Sequence, residues 1–382
     1  MRFKHKIVFR KDSFLFKRKR SSFFCFNDLL FLQAIVYFWV KSMIKKSFFL
    51  SFFLLACAFN CSAKENKKIL ICGICKNIEA GFPVTSSSID ALKDHFEDYR
   101  VIIYENNSKD NTKKLLKDWS TNDPKILVLS TNVSHKELRK IAKTGTNYRT
   151  EKLAIARNAL LDEIMKPKYE EFSYVVMADL DMNPWDIQGI IDTINTTKYE
   201  WDVVCANGSY DRYAFRNEEY PFGPELLGKK YWEHVWDFDL HLSKDGDWKP
   251  VYSAFGGLAI YKRNSIKGCR YEGVVTKELE DLMANWIEKG IQENAFLSKE
   301  YLELKKLLPI VEVKGDILKQ REKFPEQIGM ILKKHGSRLV WFGSEPKTGL
   351  PMTCEHVPFH AMMIAKGCGK IYINPSLKST HP

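Results

Sequence analysis

The reading of the fold turns on Tyr174-Val175-Val176-Met177-Ala178-Asp179-Leu180-Asp181-Met182. An unbroken apolar run is what a strand buried on both faces of a parallel sheet requires. Two carboxylates follow it directly. Residues spaced by two on extended chain point to the same side, so Asp179 and Asp181 form one acidic pair at the carboxyl end of the strand. Open α/β sheets present their ligands at that end. Like charges so close repel each other. Carboxylate oxygens suit Mn²⁺ or Mg²⁺, and these ions suit phosphate oxygens in turn. A plainer reading stands beside this one: Pro184 opens a helix reaching residue 194, and Asp179 or Asp181 is its N-cap.

The same alternation continues on both sides. Residues 69–74, 101–104 and 126–129 read as short apolar strands, and 201–205 as another. Helical patterns fall at 89–96, 111–119 and 151–166, the last stopped by Pro167. Such βαβ order predicts an α/β fold: an open, mostly parallel sheet with helices on both faces. Residues 207–250 are aromatic and polar, which suits an excursion over a site. Phe255-Gly256-Gly257-Leu258-Ala259-Ile260-Tyr261 is a strand entered through a glycine pair. Residues 276–334 carry helical patterns and loops, and 352–375 hold a helix through Ala365 and a strand near Ile371.

Within 151–166, Leu153, Leu160, Leu161 and Ile164 form one apolar stripe with Arg157 in its middle. A core-facing arginine needs a partner, either an aspartate at the sheet edge or a ligand diphosphate. Tyr104-Glu105-Asn106-Asn107-Ser108-Lys109-Asp110-Asn111-Thr112 closes the second strand with turn and cap residues. It is either capping chemistry or a nucleoside pocket using Glu105, Asn106 and Asp110. Near the end, Cys354-Glu355-His356 supplies a candidate base and a histidine that either completes a divalent site or is structural. Trp232, Trp236, Trp248 and Tyr252 offer rings for sugar stacking or for loop packing. Cys72-Gly73-Ile74-Cys75 has redox spacing, but packing is the stronger reading, because the domain is too large for a thioredoxin-like unit.

The chain has 382 residues and a net charge of +12. Residues 1–63 hold twelve Lys/Arg against Asp12 and Asp28, a net of +10, which leaves +2 for the other 319. The nearly neutral remainder argues against nucleic-acid binding. Residues 1–63, with two apolar runs beside basic clusters, are expected to be a signal peptide or membrane anchor. From Met43 the plan is basic, then apolar, then small, and Leu54-Leu55-Ala56-Cys57 also fits a lipoprotein box. Residues 64–382 form the expected catalytic domain. Nine cysteines in so long a chain are too few for a disulfide scaffold, although one or two bridges fit an exported protein.

Taken in order, residues 71–77, 104–112, 149–160, 179–182, 255–263 and 354–375 resemble the fungal capsule-associated α-1,3-mannosyltransferases. They are more distantly similar to the mannan-polymerase mannosyltransferases. The resemblance implies a Rossmann-like GT-A fold, a GDP-mannose-like nucleotide sugar, a glycan acceptor and Mn²⁺ or Mg²⁺. It implies that Asp179, Asp181 and His356 bind the metal, and that Tyr104, Glu105 and Asp110 face the nucleoside. Lys152, Arg157 and Asn158 would lie around the phosphates and sugar, and Gly256 and Gly257 on the acceptor side. Glu355, Arg157 and Asp181 would be catalytic. A nucleotidyltransferase on a similar sheet and a non-catalytic carbohydrate-binding protein are the rival readings. The compartment expected is a membrane or the secretory route.

Overall fold

The computed structural model of the protein describes residues 65–141, 149–208, 212–218, 223, 242–243, 246–292, 333–335, 338–340 and 353–381. The expected signal or anchor segment, Trp232 and Trp236 lie outside them. No described helix is long and apolar enough to cross a membrane.

Strands β1 (Glu65–Cys75), β2 (Phe96–Asn106), β3 (Ile126–Thr131), β4 (Tyr174–Asp179), β5 (Val203–Gly208), β6 (Lys249–Pro250), β7 (Leu258–Lys262) and β10 (Ile371–Ser379) form one sheet. Its order is β3-β2-β1-β4-β7-β5-β10-β6. β1, β2, β3 and β4 run parallel, as do β5 and β10. β7 lies antiparallel between β4 and β5, and β6 is antiparallel to β10. Two short strands, β8 (Lys333–His335) and β9 (Arg338–Val340), pair separately.

The expected α/β architecture is therefore present, and alternation along β1 explains it. Leu70 and Cys72 join one apolar cluster, while Ile69 and Ile71 join the other. The first cluster packs under α4 (Arg149–Ile164), α6 (Lys277–Gln292) and α7 (His356–Ala365). The second packs under α1 (Phe82–Lys93), α2 (Thr112–Asn122) and α5 (Ile187–Asn195). A short helix α3 (His135–Ile141) follows β3. Both faces of the sheet are covered, so its strands read as continuous apolar runs.

Three local expectations are corrected. The helix expected at 89–96 is α1, which starts seven residues earlier at Phe82 with a proline in its first turn, while Phe96 already belongs to β2. Polar Thr85 and Ser88 hid the start, because both are buried with their hydroxyls bonded to Leu180 O and Trp185 N–H. The helix expected from Pro184 begins at Ile187, and Asp186 caps it by accepting from Gly189 N–H at 3.0 Å. Neither Asp179 nor Asp181 is needed as a cap. Within the stripe on α4, Leu160, Leu161 and Ile164 are buried, but Leu153 faces a cavity.

All six described cysteines are free, so no disulfide forms among them. Burial pushes the thiols of Cys72 and Cys75 up, away from the reactive thiolate, which agrees with packing rather than redox chemistry.

Candidate active site

Register brings the site together. Across β2, β1 and β4, Tyr104, Ile74 and Asp179 stand at one level. Beyond them, at the carboxyl ends of these strands, opens a cavity of about 910 Å³. Its described walls carry Lys76, Lys109, Lys113, Arg149, Lys152 and Arg157 against Asp179, Asp181 and Glu355, six cations to three carboxylates.

At the cavity floor lies Arg157, 1% exposed, on α4. Its Nε donates to Glu355 Oε1 at 3.1 Å and its Nη2 to Asp179 Oδ1 at 3.0 Å. Its plane lies 4.9 Å from the Phe255 ring. One cation thus ties the end of β4 to the start of α7. The third nitrogen, Nη1, is buried with no hydrogen-bond partner. Although burial opposes its charge, Asp179 and Glu355 hold the guanidinium protonated beyond the usual arginine range. Burial raises the Asp179 pKa above the usual carboxylate value, against the pull of Arg157. The sheet-edge aspartate expected as a partner of Arg157 is thus Asp179.

The glycine pair fixes this corner. Gly256 and Gly257 have φ of +66° and +86°, a region that other residues rarely adopt. A Cβ at Gly256 would come within 2.4 Å of Ala206 O. In that conformation Gly257 O accepts from Asp179 N–H at 2.9 Å. Neither glycine lines the cavity; they hold Asp179 in place.

The remaining expected site residues divide. Tyr104, Asn106, Lys152, Asp181 and Glu355 line the cavity. Glu105 and Asp110 do not. The Glu105 carboxylate is fully buried and accepts from Ser108 N–H at 2.7 Å and the Ser130 hydroxyl at 2.6 Å. Asp110 accepts from Glu79 and Thr112 N–H, each at 3.1 Å; the Thr112 side chain first, and then these bonds, lower its pKa. These two carboxylates shape the loop after β2, the capping alternative. Asn158 is bolted to the Tyr271 backbone, donating to its O at 2.8 Å and accepting from its N–H at 2.9 Å. Trp248 stacks on Tyr199 at 4.5 Å and Tyr252 on Trp286 at 4.3 Å, so these rings pack loops.

His356 is the clearest departure. It is fully buried, stacked on Phe255 at 3.9 Å, and does not line the cavity. Its Nε2 lies 3.7 Å from Glu355 Oε1. Burial first, then Arg157, pushes its pKa well below the usual histidine value. Among the described residues, no group of three His, Cys, Asp or Glu side chains could hold a metal ion. The expected set of Asp179, Asp181 and His356 is therefore not assembled. Among the described residues the histidine beside Asp181 is His381, with Nε2 3.6 Å from Oδ2. It follows β10, and no sequence spacing ties it to Asp181; only the placement of β10 two strands beyond β7 does. Lys76 was missed for a similar reason, because a lone lysine after β1 carries no motif.

A cavity at the carboxyl ends of parallel strands, with carboxylates at its floor and cations on its walls, lies where open α/β sheets present ligands and has charges that suit a phosphate-bearing one. The chain belongs to the family described as cryptococcal mannosyltransferase 1, whose model matches residues 68–284. That match spans Tyr104, Lys152, Arg157, Asp179, Asp181, Gly256 and Gly257 and stops short of Glu355, His356 and His381. No curated protein matches the chain.

Among solved structures, the chain is similar to a Pyrobaculum calidifontis mannosyltransferase in complex with GDP-Man and Mn²⁺. The two are 13% identical with a TM-score of 0.34, covering 59% of this chain and 53% of that one. The chain thus spans about half the length of that enzyme. A Mycobacterium tuberculosis glucosyl-3-phosphoglycerate synthase, in complex with Mn²⁺, UDP and glucosyl-3-phosphoglycerate, is 14% identical with a TM-score of 0.32. It covers 59% of this chain and 67% of its own. Staphylococcus aureus TarS is 13% identical with a TM-score of 0.34, covering 66% and 77%.

Proposed function

We propose that the protein transfers a hexose, with mannose the first candidate, from a GDP-mannose-like nucleotide sugar to a hydroxyl of a glycan acceptor. The observation that carries this reading is the Arg157 bridge between Asp179 and Glu355 beneath a cavity with more cations than carboxylates. Family membership favours glycosyl over nucleotidyl transfer and over a binding-only role.

The donor's phosphates would lie along the part of the wall that carries Lys109, Lys113 and Arg149, with the sugar above Arg157. Arg157 fixes two carboxylates at set positions, so that neither reorganises when charge develops on the leaving group. Glu355 stands at the floor, where it can orient an acceptor hydroxyl. Asp181 and His381 supply a carboxylate and an imidazole, donors that fit Mn²⁺. Ions of the Mg²⁺ type commonly take one or two protein ligands and complete their shell with phosphate oxygens and water. Bound there, the ion would supply positive charge to the departing diphosphate. The basic, apolar segment 1–63 fits a signal peptide or anchor that would bring this activity to a membrane or secretory compartment.

The test is transfer and hydrolysis by the purified full chain with Mn²⁺ and a panel of nucleotide sugars, GDP-mannose among them. One donor should be consumed with release of a nucleoside diphosphate. The Asp181→Ala variant should lose at least ten-fold in turnover while keeping its far-UV circular dichroism. Unchanged turnover would remove Asp181 from the site, and release of pyrophosphate from a nucleoside triphosphate would replace the reading with nucleotidyl transfer.

A further inference from the structure

The cavity walls carry more positive charge than the proposed donor can use. Each phosphate of a nucleotide sugar bears one negative charge, and a divalent ion at Asp181 would cancel most of that pair. Arg157 is already committed to Asp179 and Glu355. Lys113 bonds to Asn132. Lys76, on the loop after β1, and Lys152, near the start of α4, have no ion pair or hydrogen bond from their ammonium groups among the described residues. They also repel one another: burial and the neighbouring Lys76 charge lower the Lys152 pKa. Two ammonium groups facing one cavity, neither paired with a carboxylate, form an arrangement that an anion between them relieves. A lysine ammonium is a mobile point charge, suited to phosphate or carboxylate without fixed geometry. The cavity, at about 910 Å³, is at the upper end for single-ligand pockets, so there is room for a second substrate beside the donor.

We propose that Lys76 and Lys152 form a second anion site, which holds a phosphate or carboxylate carried by the acceptor. The acceptor is then an acidic sugar or sugar phosphate rather than a neutral glycan end. This inference rests on the glycosyl-transfer reading, and it narrows the acceptor to one chemical class.

The experiment uses the full chain. Mannose 6-phosphate, glucuronate and neutral mannose are titrated in turn by calorimetry, without nucleotide and with saturating GDP and Mn²⁺. They are then compared as acceptors for the donor sugar found above. At least one anionic sugar should bind ten-fold or more tightly than mannose. Preference for mannose 6-phosphate assigns a phosphate, and preference for glucuronate assigns a carboxylate. Lys76→Gln, an exposed substitution that threatens no packing, should cut the preference to under three-fold and leave GDP affinity within two-fold. Lys152→Gln should cut it likewise. Equal binding of neutral and anionic sugars overturns the proposal. So does a Lys76→Gln variant that weakens GDP as much as it weakens the anionic sugar, since the lysines would then serve the donor's diphosphate. Failure of GDP and UDP to bind at all instead strikes the transfer reading, and takes the acceptor assignment with it.

Discussion

Arg157 shows how one residue sets a site. A buried guanidinium is costly, and its cost is offset only by well-placed partners. Here the two partners come from distant parts of the chain, Asp179 at 22 positions from Arg157 and Glu355 at 198. Removing the cation leaves two carboxylates facing each other out of water. Arg157→Met should therefore lose about 3–5 kcal/mol of stability, read from urea unfolding midpoints. A loss below about 1 kcal/mol would mean that the pair was already neutralised by protons. Arg157→Lys should not rescue it, because an ammonium cannot span both carboxylates as a planar fork does. The sequence already pointed to a paired arginine, since a charge in the middle of an apolar stripe needs an answer. It did not name both partners, because Glu355 arrives through tertiary placement alone.

Elements explain what local sequence can and cannot carry. Continuous apolar runs marked β1 to β5, because burial on both faces is a local compositional demand. The direction of β7 was not legible: an apolar strand looks the same whether it runs up or down, and its neighbours β4 and β5 are far away in the chain. Helix starts depended on caps. At α5, Pro184 drew the start forward, but Asp186 holds both Gly189 N–H at 3.0 Å and Lys378 N–H at 3.1 Å. It therefore joins the helix to β10, the strand that leads to His381. Asp186→Ala should cost about 1 kcal/mol, at the typical value for a lost cap or somewhat above it, as a fall in the thermal midpoint. Asp186→Asn should recover most of it. If alanine is neutral, the cap is a solvent-shared contact and the link to β10 carries no energy. The metal set failed for the same reason that β7 did. His356 looked right because it adjoins Glu355 in sequence, yet the first turn of α7 turns it into the core against Phe255, and the nearer imidazole comes from beyond β10.

At the scale of the whole molecule, the buried imidazoles set a pH limit on the fold. His360 is enclosed between the Ser253 hydroxyl, 2.9 Å from Nδ1, and the Tyr261 hydroxyl, 3.2 Å from Nε2. Burial lowers its pKa from 6.5 to about 3. His356, one helical turn away, is pushed down by burial, by Arg157 and by His360. Both are neutral in the fold and become protonated when the chain opens. The unfolded state therefore binds more protons, and stability rises with pH across the interval between the two pKa values. The contribution is fully present above the unfolded value of 6.5 and is lost progressively as pH falls toward 3. Each such proton is worth about 1.4 kcal/mol per pH unit. Between pH 6 and 5 the two histidines together should contribute a slope of about 2.7 kcal/mol per unit, which proton uptake by Asp179, raised by burial, would oppose. Urea unfolding at pH 7.5, 6 and 5 measures it. His360→Gln keeps hydrogen-bonding capacity but cannot titrate, so the slope should fall by about half even if the variant is less stable throughout. A flat profile in the unsubstituted protein would mean that the helix bearing Glu355 and both histidines admits water, and that the floor of the cavity is not the dry surface on which the Arg157 bridge depends.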